Sequence, residues 1–327
     1  MNKPIYRPPP LLGNGHVQTI FPVLFRTVSD VTYTRERIST WDNDFLDLDW
    51  SCRESDRLAV ISHGLEGNTS RNYVKGMVRA MNLAGWDALA WNYRGCSGEP
   101  NRQLRSYHNG ATDDLDWVIH HAADSRQYDQ IALIGFSLGG NLTLVYLGRD
   151  RVHPTVSNAV VFSVPCDLAA SARKLARPVN TIYMRRFLKD LHHKIKEKGK
   201  RLHHPLLDDK GYEKIKDFKG FDDRYTAPMH GFKDAQDYWH SCSSLQFIES
   251  IQHPCLIINA VNDPFLAREC FPVAQAENNP FVTLKTPASG GHVGFIAFNH
   301  SGRYWSEIQA AEFLDHEKGN CHAFSSL

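Results

Sequence analysis

The chain has 327 residues, 42% of them hydrophobic and 22% charged, with 37 Lys+Arg against 36 Asp+Glu and a formal charge of +1. That length allows one large domain or two ordinary ones with a sizeable core, and the composition excludes collagen-like, disordered and disulfide-scaffold chains. The charge balance gives no overall case for nucleic acid.

In chain order, the N-terminal MNKPIYRPPPLLGNGH has no apolar stretch of the kind a secretory signal needs. Residues 29–40 and 45–51 read as strands around a turn at Asp42-Asn43-Asp44. Leu58–Ser62 is a short apolar run, expected as a buried strand. A helix over 70–84 stops before Gly85, and Trp86–Trp91 is the next strand. Thr112–Ala123 is a helix with acids in its first turn, followed by strand Ile131–Ile134, helix Leu138–Gly148 and strand Ser157–Val164. Strand Cys255–Val261, helix 265–277, strand 281–286 and a terminal helix near 303–316 complete the pattern. The βαβα rhythm predicts one α/β domain over 1–327, a mostly parallel central sheet flanked by helices.

Residues 168–250 break that rhythm. They look helical and charged, and are expected to form a cap over one edge of the sheet. The cap carries Arg185, Arg186, Lys189, Lys194, Lys196, Lys198, Lys200 and Arg201. Such a run is usually a solvated helix face, though it leaves open peripheral contact with anionic lipid or an anionic substrate. No stretch reaches the ~18 apolar residues of a membrane span. The 7 cysteines are scattered and form no C-x-x-C pair, as expected of free thiols in a reducing cytoplasm. No zinc-ligand spacing is present, so no zinc site is expected, and the serine chemistry read below requires neither metal nor organic cofactor.

The strongest local signal is Gly135-Phe136-Ser137-Leu138-Gly139-Gly140, between a strand and a helix. There the chain must turn sharply, so its neighbours must be small, and Ser137 Oγ is left beside a helix N-terminus. Serine needs a base, and His292, in the small-residue loop Ser289–Phe295, is the candidate among 17 histidines. The imidazole needs a carboxylate, and Asp263 follows the strand Cys255–Val261. An Asp there also suits an N-cap. Oxyanion donors are expected from the N–H of Leu138 and, in the loop Ser62–Gly67, of Leu65.

These motifs, with Gly13–Thr19 (GNGHVQT), His63–Gly67 (HGLEG), Asn92–Gly98 (NYRGCSG), Asn262-Asp263-Pro264 and Gly290–Gly294 (GGHVG), resemble the α/β-hydrolase superfamily. Within it the chain resembles the YheT branch, α/β-hydrolase family four, which includes related plant and animal lipid esterases. The resemblance runs from residue 13 to 294. It implies the α/β-hydrolase fold with a helical cap, and a serine hydrolase with a Ser–Asp–His triad that cleaves carboxylic esters through an acyl-enzyme. Ser137, Asp263 and His292 fall on its motif positions. The substrate would be a small-molecule or lipid ester. The same triad also serves lipases and thioesterases, and a non-catalytic binding protein on this fold is the alternative of another class. Arg94 is expected to tie loops together by hydrogen bonds rather than to touch substrate.

Overall fold

The computed structural model describes residues 6–149 and 151–316. Its spine is an eight-stranded sheet in the order β1-β2-β4-β3-β5-β6-β7-β8. β1 (Thr34–Ser39) and β2 (Phe45–Ser51) form an antiparallel hairpin, and the turn residue Asn43 takes the left-handed conformation that Asn tolerates. β2 runs antiparallel to β4 (Asp87–Asn92). β3 (Arg57–Ser62), β4, β5 (Gln130–Phe136), β6 (Val156–Phe162), β7 (Cys255–Ile258) and β8 (Val282–Lys285) are parallel. The mostly parallel sheet predicted from the βα rhythm is therefore present.

Helices cover both faces, which is why the central strands read as continuous apolar runs rather than alternating ones. Helix α1 (Gly15–Phe25) precedes the sheet. α2 (Asn72–Leu83) packs Val74, Met77, Val78 and Met81 on one face, against Ala59, Ile61, Ala88 and Ile134. α3 (Thr112–Ser125) and α4 (Leu138–Arg149) bury Leu115, Val118, Ile119 and Leu142 on the other, against Leu58, Val60, Ile131 and Leu133. The period of two along β5 divides its side chains between the two cores.

Between β6 and β7 the chain is helical: α5 (Leu168–Leu175), α6 (Thr181–Leu202), the single turns α7 (Phe218–Phe221) and α8 (Ala227–His230), and α9 (Ala235–Cys242). These have a small core of their own, with Tyr183, Leu188, Leu191, Ile195, Phe221 and Tyr225. The last helical turn before β7, Ser244–Ser250, departs from the expected insert boundary. Its Ile248 is buried in the core of the main body.

Other differences are local. Strand β1 begins only at Thr34, not at residue 29. The helix expected over 265–277 is broken: a short turn at Arg268–Cys270 precedes α10 (Val273–Asn278), separated by Pro272, which cannot continue a helix from within. α1 was not foreseen. Helix α11 (Trp305–His316) closes the described chain on the α2 face through Ala310, Ala311 and Leu314. Among the described residues, no helix is long and apolar enough to cross a membrane.

Candidate active site

The parallel register aligns the C-terminal ends of four strands. Ser62 lies opposite Gly135, Phe136 opposite Phe162, and Phe162 opposite Ile258. The residues expected to carry the chemistry, Leu65, Ser137, Leu138, Asp263 and His292, all follow those ends or the end of β8.

Ser137 sits between β5 and α4 with φ of 54°, a left-handed backbone that a serine adopts only when its surroundings force it. The forcing is steric and explains the flanking glycines. A Cβ on Gly135 would lie 2.7 Å from the carbonyl carbon of Gly139, and one on Gly139 would lie 2.6 Å from His63 O. Only bare backbone lets α4 start this close to the β3 loop.

His292 Nε2 lies 3.0 Å from Ser137 Oγ. Its Nδ1 lies 2.9 Å from Asp263 Oδ2 and 3.2 Å from Oδ1. Asp263 is 1% exposed, and its Oδ1 also accepts the N–H of Phe265 at 2.8 Å, so the N-cap-like contact and the histidine contact coexist. The ring of Phe265 packs on His292 at 4.1 Å between centroids, covering one face of the imidazole.

The N-terminal GNGHVQT block buttresses this arrangement, a role the sequence alone did not reveal. His292 N–H donates to Thr19 Oγ1 at 2.9 Å, and Thr19 Oγ1 donates to Gly15 O at 2.7 Å. Asn262, next to Asp263, donates to Gly13 O at 2.8 Å and accepts from Gly291 N at 3.0 Å. Gly291 approaches α1 so closely that a Cβ would stand 2.7 Å from Gln18 Cβ. α1 thus clasps the loops of Asp263 and His292 together. No role was assigned to Thr19 or Asn262 from the sequence, although both lie in segments that carry the family resemblance.

The loop after β3 is pinned from several sides. Tyr93 O–H donates to His63 O at 2.8 Å, and Gly64 N–H donates to Tyr73 OH at 2.9 Å. Burial pushes the His63 imidazole down to about 3, so the ring is neutral. Leu65 and Leu138 line the same cavity as Ser137 and His292.

That cavity holds about 630 Å³, a volume typical of sites for small organic ligands. Leu168, Leu175, Phe187, Leu191 and Phe265 give it an apolar wall, largely from the inserted helices. Its polar side carries Glu66, Lys194 and Lys198. α6 divides the basic run: Lys194 and Lys198, one turn apart, face inward, while Arg185, Arg186, Lys189, Lys196 and Lys200 are exposed. Lys198 donates to Leu104 O, Arg105 O and Ser106 Oγ.

Cys96 lines the cavity and Cys166 is fully buried. Burial raises the Cys96 thiol to about 11, so it is not a thiolate nucleophile at neutral pH. The six described cysteines are free. Among the described residues, no group of three or more His, Cys, Asp or Glu is arranged to hold a metal ion.

Arg94 lies outside this chemistry, at the centre of a buried ion cluster. It donates to both oxygens of Asp114, to Asp42 at 2.8 Å and to Asp44 at 2.9 Å. The NYRGCSG block therefore fastens the β1–β2 turn to α3.

The family model described as serine aminopeptidase, S33, matches residues 53–269. The chain is 35% identical over 295 residues to "Putative esterase YheT" of Escherichia coli (strain K12), spanning 87% of this chain and 85% of that protein. It is 28% identical over 300 residues to Phospholipase ABHD3 of Homo sapiens, spanning 89% of this chain and 73% of that protein. The solved structure of the Pyrococcus furiosus esterase Pf2001 shares the fold, with a TM-score of 0.61 at 18% identity, covering 97% of this chain and 98% of that one. The chain belongs to this family of α/β-hydrolases, in the branch that includes YheT.

Proposed function

We propose that the protein is a serine hydrolase of carboxylic esters that works through an acyl-enzyme. The observation that carries this reading is the unbroken contact from Asp263 Oδ2 through His292 to Ser137 Oγ, at 2.9 and 3.0 Å, on the wall of a cavity that accepts an apolar chain. Ester-cleaving names among the relatives, esterase and phospholipase, support the substrate class.

In the first half-reaction His292 Nε2 takes the proton of Ser137 as Oγ attacks the ester carbonyl. The backbone N–H groups of Leu138 and Leu65 receive the developing oxyanion, and each such donor is worth ~2.7–4 kcal/mol in the transition state. Asp263 holds Nδ1–H and stabilises the imidazolium. The same Nε2 then protonates the leaving alcohol. In the second half-reaction His292 activates water, which releases the acid and restores Ser137. The apolar wall of Leu168, Leu175, Phe187 and Leu191 suits an acyl chain or an apolar alcohol. The Phospholipase ABHD3 relative favours a lipid ester within that class.

The test is hydrolysis of a panel of p-nitrophenyl esters from acetate to palmitate by wild type and Ser137→Ala. Turnover of at least one ester, lost in the variant by about 10⁴ or more, is the expected result. Equal turnover by the two proteins overturns the assignment of Ser137.

A further inference from the structure

The loop that carries Leu65 is held in part by the inserted helices. The next residue, Glu66, has φ of 54°, a left-handed conformation that a non-glycine residue keeps only under restraint. Its N–H donates to Tyr107 OH at 3.1 Å, and its carboxylate accepts the Tyr107 hydroxyl proton in return. The Glu66 side chain is only 5% exposed, so its charge needs a partner. That partner comes from α6: Lys194 Nζ lies 2.9 Å from Glu66 Oε1. Nζ also lies 2.9 Å from Cys96 Sγ and 4.9 Å from the centroid of the Tyr107 ring. Burial pulls the Lys194 ammonium down, but Cys96 and Glu66 more than offset it, and its net shift is upward.

We propose that Lys194 is a positioning residue for ester cleavage. Through the Glu66 carboxylate it holds the neighbouring Leu65 N–H toward the oxyanion, so that the oxyanion site is complete only while α6 is seated. This rests on the Ser137 and Leu65 roles given under the proposed function. Leu65 N–H acts mainly once negative charge develops on the carbonyl oxygen. Loss of Lys194 therefore falls on turnover and not on substrate affinity.

The experiment compares Lys194→Met, Lys194→Arg, Glu66→Gln and the exposed-face control Lys200→Met in the full chain. It measures kcat and KM on p-nitrophenyl butyrate, the rate constant for fluorophosphonate labelling, and thermal melting. Lys194→Met is expected to lower kcat by about 10–100-fold with KM within about twofold, and to slow labelling by a similar factor. Lys194→Arg recovers most of that loss, and Lys200→Met stays at wild type. Wild-type kcat in folded Lys194→Met overturns the proposal, as does a loss confined to KM. If Lys194→Met does not fold, Glu66→Gln decides from the other end of the pair by the same kcat and KM criteria. Ser137→Ala is run in parallel. If it retains turnover, the nucleophile assignment is at fault; if it is inactive while Lys194→Met turns over normally, only the role of Lys194 fails.

Discussion

Replacing Asp263 by Asn changes one atom's chemistry and little else. Asp263 Oδ1 accepts the Phe265 N–H at 2.8 Å, and an amide oxygen can keep that bond. The amide nitrogen then takes the place of Oδ2, 2.9 Å from His292 Nδ1. An N–H facing Nδ1 obliges Nδ1 to accept. The ring proton moves to Nε2, which faces Ser137 Oγ at 3.0 Å and can no longer take its proton. The side chains barely move, yet the base is lost. The same exchange in serine-protease triads costs about 10⁴ in kcat, or about 5.5 kcal/mol at about 1.36 kcal/mol per tenfold. Steady-state turnover of a p-nitrophenyl ester by Asp263→Asn should therefore fall by about 10³–10⁴, with melting within a few degrees of wild type. Turnover within tenfold of wild type in a folded variant would refute the claim that Asp263 sets the tautomer of His292.

Thr19→Val removes the acceptor for His292 N–H without changing side-chain shape; kcat should fall several-fold with KM held, and Thr19→Ser should restore it. Arg94→Leu leaves the buried carboxylate of Asp44 without its cation and Asp114 with only Arg105, 3.8 Å away, and urea unfolding should show a loss of about 3–5 kcal/mol; a loss below about 1 kcal/mol would contradict the buried-cluster reading. Burial raises the Asp222 carboxyl to about 7, against the hydrogen bonds from Thr226 and Trp239 that lower it. Between its ordinary value of 3.8 and about 7 the folded state holds more protons there than the unfolded state, so this group's contribution to stability declines as pH rises through that window. The stability of wild type relative to Asp222→Asn should therefore decline from pH 4 to pH 7; a difference independent of pH would show that the group does not titrate there.

The sheet was legible because its parallel strands are buried on both faces and so appear as uninterrupted apolar runs such as Leu58–Ser62 and Ile131–Ile134. Ser137, Asp263 and His292 were conspicuous because each follows a strand with glycine or proline nearby, and the structure brings all three within hydrogen-bonding reach. α1 was hidden by Pro22 in its middle and by an apolar run with no clear period. Its function is equally non-local: Thr19 meets a backbone N–H 273 residues away, and no spacing rule connects them. Helix 265–277 was overestimated because Phe265 and Leu266 bury their side chains from irregular, non-helical backbone, Phe265 against His292 and Leu266 beside Ala170 and Cys270. In α6 the basic residues were visible, but the helical phase that turns Lys194 and Lys198 inward emerges only from the packing of Leu191 and Ile195 beside them. The Glu66 conformation and the ion cluster around Arg94 follow from tertiary contacts alone.

The central claim is that Ser137 is an activated nucleophile. It is tested most directly by treating the folded protein with a fluorophosphonate and locating the adduct by peptide mass spectrometry. The account predicts a single phosphonylated residue, Ser137, with labelling lost in Ser137→Ala and strongly slowed in His292→Ala. Labelling that persists in Ser137→Ala, or a folded wild type that takes no label while hydrolysing no ester of the panel, would contradict it.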